Sequence, residues 1–170
     1  LRYSSATWDP NGKGFSYAIP VSPEGNPDPE GIRRAIYHHK LGTNQADDIK
    51  LYERPDIPTS WISDFRIEED DPIRFIFVGN GTNPENGLYY QELDSEQPKE
   101  ILAPDIASLW PFYREGNKLY ATTSHNAPRK KVVLIDITDN NIDHWQIIVS
   151  ESNDESKKME AAFVAQDRLF

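Results

Sequence analysis

The sequence predicts an all-β fold, a partial β-propeller of about three and a half four-stranded antiparallel blades, on three observations. First, a cycle repeats. A strand-like run ends in a polar turn, a second apolar run follows, and two further strands close the unit. The cycle begins near Trp8, again near Phe65 and Phe112, and restarts at Val164, a period of roughly 45–60 residues. Second, β-branched and aromatic residues fill the runs, and Pro, Gly, Asn and Asp bracket them at strand length. Third, Ile73-Arg74-Phe75-Ile76-Phe77-Val78 and Val132-Val133-Leu134-Ile135 are apolar on both faces. A sheet with one wet face would alternate; blades packed face to face bury both sides.

The elements follow in order. In the first unit Tyr3–Trp8 is a strand, Asp9-Pro10-Asn11-Gly12 a turn and Phe15–Val21 the second strand. Ser22–Gly31, rich in proline and acid, is a long loop, and Arg34–Leu41 and Ile49–Arg54 complete the unit. The second unit runs Trp61–Ile67, an acidic turn at Glu68–Pro72, Ile73–Val78, Gly87–Leu93 and a short Glu100–Leu102. The third runs Leu109–Tyr113, a turn at Glu115-Gly116-Asn117, Leu119–Thr123, Val132–Ile137 and Trp145–Ser150. Ala161–Gln166 and Arg168–Phe170 read as the first hairpin of a fourth. Blades are therefore expected over residues 1–57, 58–104 and 105–153, with the next beginning at 158–170. Only Glu155–Phe163 offers a rival helical reading. A chain that breaks off inside a repeat reads as a piece of something larger.

Composition narrows the function. Hydrophobic residues make up 37% and charged residues 27%, with 13 prolines and 9 glycines. That is too apolar for disorder and too punctuated for a helical protein. No run reaches the length of about 18 apolar residues that a membrane helix needs. The formal net charge is −10 and no basic stripe exists, so neither nucleic acid nor a membrane is expected as a partner. Without cysteine the chain has no thiolate nucleophile, disulfide or zinc–cysteine site.

Local chemistry is sparse. His38 and His39 are adjacent on a strand, point to opposite faces and cannot chelate one metal together. His125 lies in a loop, at Ser124–Arg129. The acid clusters Glu68–Asp71 and Glu151–Glu155 lack the alternating ligands and glycine bend of a calcium loop. No helix follows Asn11-Gly12-Lys13-Gly14 or Gly79-Asn80-Gly81-Thr82, so neither is a phosphate cradle. Asn80-Gly81-Thr82 has the form of a glycosylation sequon. No G-x-S-x-G elbow is present. No cofactor and no metal is expected.

Three stretches carry a resemblance: Trp8–Tyr17; Tyr37–Thr43 continuing through Asp47-Asp48 to Leu51-Tyr52-Glu53; and Gly81–Tyr90. In order and spacing they resemble the N-terminal seven-bladed propeller of the prolyl oligopeptidase family, serine peptidases of family S9. The resemblance covers the whole chain, strongest over Tyr3–Leu93, and would account for about half of such a propeller. It implies a cytoplasmic or periplasmic serine endopeptidase that cleaves short peptides after proline. In that family the serine, aspartate and histidine sit in a separate hydrolase domain, and the propeller restricts entry to the active site. These residues would then supply a wall and no catalytic group, and would act together with the hydrolase domain and the remaining blades. The resemblance also implies substrate-binding positions for the residue two before proline. Its pocket aromatic falls on Tyr3, its apolar pocket residue on Ile62, a substrate-facing arginine on Gly79 and a cysteine on Thr82. Two other readings stay open: a propeller that serves only as an interaction scaffold, and a propeller hydrolase using carboxylates in its channel. Unclosed blade faces would be apolar, so a homodimer through them is expected.

Overall fold

Strands form where the sequence places its β-branched and aromatic runs. The structure is a computed structural model and describes residues 6–92, 95, 97–139, 141–165 and 168–170. Its elements are β1 (Ala6–Trp8), β2 (Gly14–Val21), β3 (Arg33–Lys40), β4 (Ile49–Glu53), β5 (Ser60–Phe65), β6 (Ile73–Asn80) and β7 (Asn86–Glu92). They continue with β8 (Lys99–Leu102), β9 (Leu109–Glu115), β10 (Lys118–Thr123), β11 (Lys131–Asp136), β12 (Gln146–Val149), β13 (Val164–Ala165) and β14 (Arg168–Leu169). Three four-stranded sheets each follow chain order, β1 to β4, β5 to β8 and β9 to β12, and β13 pairs with β14. The fold is all-β, built of unclosed four-stranded antiparallel sheets.

Turn chemistry acts where the sequence places it. Asp9 accepts from the Gly12 N–H at 2.9 Å and donates to the Gly14 carbonyl at 3.0 Å, and Gly12 sits at φ 65°, a conformation that favours glycine. The Glu68–Asp71 cluster divides. Glu68, Glu69 and Asp70 are exposed, while Asp71 is buried and its Oδ1 accepts from the Ile73 N–H at 2.8 Å. Short 3-10 turns at Gln45–Asp47 and Ile142–His144 precede the fourth strands of the first and third sheets. The second is capped by Asn141, whose side chain accepts from the Asp143 N–H. Glu155–Phe163 is irregular rather than helical.

The chain packs as two units. One comprises Leu1–Asn83 with Tyr89–Lys99, the other Pro84–Leu88 with Glu100–Phe170. In the first, β3 is buried on both sides. Ala35 and Tyr37 join Tyr17 and Val21 on one face, and Ile36 joins Ile57, Ile62, Ile76, Val78 and Tyr89 on the other. In the second, Leu109, Leu119, Val132, Val133 and Ile135 are almost fully buried. Each such side chain contributes about 1.5–3 kcal/mol. Asn86, fully buried, fastens that unit. Its Oδ1 accepts from the Leu109 N–H at 2.9 Å and its Nδ2 donates to the Leu109 carbonyl at 3.0 Å. One side chain thereby replaces a ladder step.

Candidate functional site

One end of the β5–β6 hairpin gathers the positions that chemistry could use. β5 begins there and β6 ends there, leading into the connection to β7. Thr59 Oγ1 donates to Asn80 Oδ1 at 2.8 Å, and the Gly81 N–H donates to the Thr59 carbonyl at 3.2 Å. Gly81 takes φ 57°, which suits glycine at the bend.

Burial along β5 alternates from Ser60, which is buried, through Trp61, exposed, to Ile62, buried. Trp61 pairs with Gly79 and Ile62 with Val78. Cross-strand partners share a face, so Ile62 and Gly79 lie on opposite faces. Ile62 is 2% exposed and sits in the apolar cluster with Ile36 and Tyr89. Gly79 is buried with the Phe77 ring close against it: an added Cβ would lie 3.2 Å from that ring and 3.6 Å from the Trp61 Cβ. Thr82 is exposed on the connecting loop. Thus Gly79 lies within β6 and Thr82 on the loop that follows it, Ile62 turns into the core, and Tyr3 lies outside the described residues.

Trp61 escapes a reading of residue types alone. It is 45% exposed on the edge strand of its sheet, and the Arg34 guanidinium stacks over its ring at 4.4 Å from the centroid. Arg34 is 6% exposed, and burial holds its pKa below the usual guanidinium range. The alternation in Ser60-Trp61-Ile62 was the available signal that the indole and Ile62 diverge.

A second cluster resembles a hydrolytic set by residue type: Ser16, His38, Asp9 and Asp64. Its wiring is different. Ser16 Oγ donates to the Asp64 carboxylate, and His38 Nε2 bonds Asp9 Oδ2 at 2.7 Å. Gly14 makes space for that pair, since a Cβ there would lie 2.8 Å from His38 Nε2. Thr7 Oγ1 donates to the Asp64 carbonyl at 2.9 Å, and Arg74 Nε stands 3.5 Å from Asp64 Oδ2. A serine that donates to a carboxylate instead of an imidazole is not wired for nucleophilic attack. These contacts tie β1 and β2 to β5 and β6. Burial raises the Asp64 pKa above the usual carboxylate range, against the opposing pull of Ser16 and Arg74.

The remaining histidines are also partnered. His39 Nδ1 bonds Asp48 Oδ1 at 2.8 Å on the face opposite His38. His144 Nδ1 bonds Asp139 Oδ2 at 2.6 Å, and His125 meets the Trp145 ring edge-on at 6.2 Å. Among the described residues, no three His, Asp or Glu side chains are placed to hold a metal ion.

Comparison with known proteins gives a consistent picture. The chain matches the prolyl oligopeptidase N-terminal β-propeller domain over residues 1–170. It is 28% identical over 145 residues to the dual function macrocyclase-peptidase POPB of Galerina marginata, covering 81% of this chain and 20% of that protein. Prolyl oligopeptidase A of Amanita bisporigera is 28% identical over 149 residues, 81% of this chain and 19% of the relative. Prolyl endopeptidase of Elizabethkingia miricola is 24% identical over 157 residues, 91% and 22%. The chain thus spans about a fifth of the length of the curated relatives it matches. Among solved structures, a prolyl endopeptidase superposes with a TM-score of 0.74 at 25% identity, over 89% of this chain and 22% of that one. Prolyl oligopeptidase B of Galerina marginata, bound to a 35mer hydrolysis and macrocyclization substrate, superposes with a TM-score of 0.76 at 22% identity, over 97% and 22%.

Proposed function

Since the chain belongs to the prolyl oligopeptidase N-terminal β-propeller family, we propose that it is the non-catalytic wall of a prolyl-specific serine endopeptidase. It restricts access of peptides to an active site carried by a hydrolase domain, and it lines part of the pocket for the residue two before proline. The observation that carries this reading is the family match along the entire chain, on a fold of unclosed four-stranded sheets. Blades over 1–57, 58–104 and 105–153, with a further one starting at 158–170, supply the wall. Tyr3, Ile62, Gly79 and Thr82 are the proposed substrate-binding positions. Thr82, exposed on the loop after β6, reaches the substrate directly, and Gly79 lies buried near the end of that strand. Ile62, buried in the apolar cluster, supports the strand that presents Trp61. Short proline-containing peptides, the hydrolase domain and the remaining blades are the partners.

Two measurements test it. The purified chain should leave a Gly-Pro reporter peptide uncut; turnover sensitive to a serine-directed inhibitor overturns the division of labour. In the longer enzyme bearing this segment, Thr82→Arg should lower kcat/KM for substrates with a bulky residue two before proline more than for Gly-Pro. An equal change for both overturns the pocket role.

A further inference from the structure

A groove of about 580 Å³ opens where β1 runs into its turn and β5 runs into the acidic turn. It lies at the Phe65 end of β5, the end opposite Ser60, and so apart from the Thr59–Asn80 connection. Trp8 and Pro10 line it from the first side, and Ile67, Glu69 and Asp70 from the second. Arg66 ties the two sides together. Its Nε donates to the Trp8 carbonyl at 3.2 Å and its Nη1 to the Asp71 carbonyl at 2.6 Å. The Asp71 N–H donates to the Glu68 carbonyl at 3.1 Å and closes the acidic turn. The walls are therefore set before anything binds, which lowers the ordering cost of an occupant.

The lining is apolar surface with a surplus of acid. Three carboxylates, Asp9, Glu69 and Asp70, stand against one guanidinium, Arg66. Asp9 already bonds His38, and Arg66 is engaged with carbonyls. Glu69 and Asp70 are exposed, and among the described residues neither meets a cation. Trp8 is 55% exposed. Charge complementarity calls for a cationic occupant. A bare metal ion is poorly served, since among the described residues no three His, Asp or Glu side chains are placed to hold one. A second copy of a chain with net charge −10 is a poor match as well. A lysine or arginine side chain fits both halves of the lining. Its aliphatic stem lies along apolar surface while its head stays with carboxylates in water, and indole is the aromatic group that attracts such a head most strongly.

We propose that this groove docks a lysine or arginine side chain of a partner polypeptide. The proposal goes beyond the wall reading and does not depend on it. The test follows the 15N-labelled chain by NMR at the Trp8 indole N–H and the Glu69 and Asp70 amides. The chain has four tryptophans, and the Trp8 peak is identified by its loss in Trp8→Phe. The probe is an octapeptide of alternating lysine and glycine; the control carries acetyllysine at each lysine, which keeps the stem and removes the charge.

The expected result is a saturable shift at all three positions with the lysine peptide, fading as salt is raised, and none with the control. The double variant Glu69→Gln, Asp70→Asn, altered only at exposed positions, should bind about five-fold more weakly. Equal affinity for the double variant would overturn the proposal, as would equal shifts with the acetylated peptide. Shifts as large at the exposed Asp154 and Glu155 would show a general attraction of cations to an acidic surface and refute the groove. Movement of the Trp8 peak on dilution alone would assign the surface to a second copy and refute it too. Each of these failures leaves the wall reading standing, because that reading is tested by the Thr82 variant and the reporter peptide.

Discussion

Replacing Ile62 with alanine separates a packing role from a ligand-contacting one. The side chain is 2% exposed and packs with Ile36, Ile57, Ile76, Val78 and Tyr89. The change removes three carbons. At about 0.8 kcal/mol per buried methylene the transfer loss is roughly 2.4 kcal/mol. A cavity among β-branched neighbours, whose side chains turn stiffly, collapses poorly and adds about 1 kcal/mol. The expected destabilisation is therefore about 3–4 kcal/mol, or roughly 10 °C in Tm for a chain of this size. Urea unfolding followed by far-UV circular dichroism measures it, with Ile62→Val as a control expected to lose about 1 kcal/mol. Trp61→Leu, one residue away on the opposite face, should change stability far less. A loss below about 1 kcal/mol for Ile62→Ala, or equal losses at both positions, would refute the two-faced reading of β5.

Three other outcomes are expected. Burial raises the Asp64 pKa, so the folded chain holds a proton that the unfolded chain has released; the Asp64 contribution to stability therefore falls as pH rises from about 4 through the raised value. Asp64→Asn should remove that slope, and parallel stability curves for the two proteins between pH 4 and 7 would contradict it. Gly87→Ala should cost about 1–3 kcal/mol, because the new Cβ would lie 2.8 Å from Pro104 Cγ and 3.0 Å from Cδ; an unchanged urea midpoint would show that Pro104 yields freely. Ile147, Ile148 and Val149 are exposed on β12, the terminal strand of its sheet, so the chain should self-associate with rising concentration and Ile148→Lys should suppress this; light scattering that shows a monomer throughout would rule out the homodimer.

Much of the fold was legible because strand length and turn chemistry are local. The turn at Asp9–Gly12, the doubly buried run in β6 and the restart at Val164 each needed only a short window of sequence. The opposed partners of His38 and His39 followed from the period of two. The site was less legible. The pairing of Arg34 with Trp61 depends on how two sheets approach, which no window contains. The same holds for Ser16 and Asp64, 48 residues apart, and for Arg66, whose Nε reaches the Trp8 carbonyl from 58 residues away. Ile62 and Gly79 looked alike as candidates because a resemblance transfers residue positions. Which face each occupies is set by register, which only the paired strands reveal.

The polar seam in the first unit has a physical logic of its own. Apolar sheet faces attract without direction, so hydrophobic burial alone permits one sheet to slide on another. Thr7, Ser16 and Arg74 converge on Asp64, and each bond fixes a distance between specific strands. Buried ion pairs of this kind contribute little net stability, since desolvation offsets attraction. Their directional geometry favours one register of β1 and β2 against β5 and β6. The pH slope of the parent chain, lost in Asp64→Asn, reads the desolvation side of that balance. If the parent chain shows no such slope, the pull of Ser16 and Arg74 fully offsets the burial of the carboxylate.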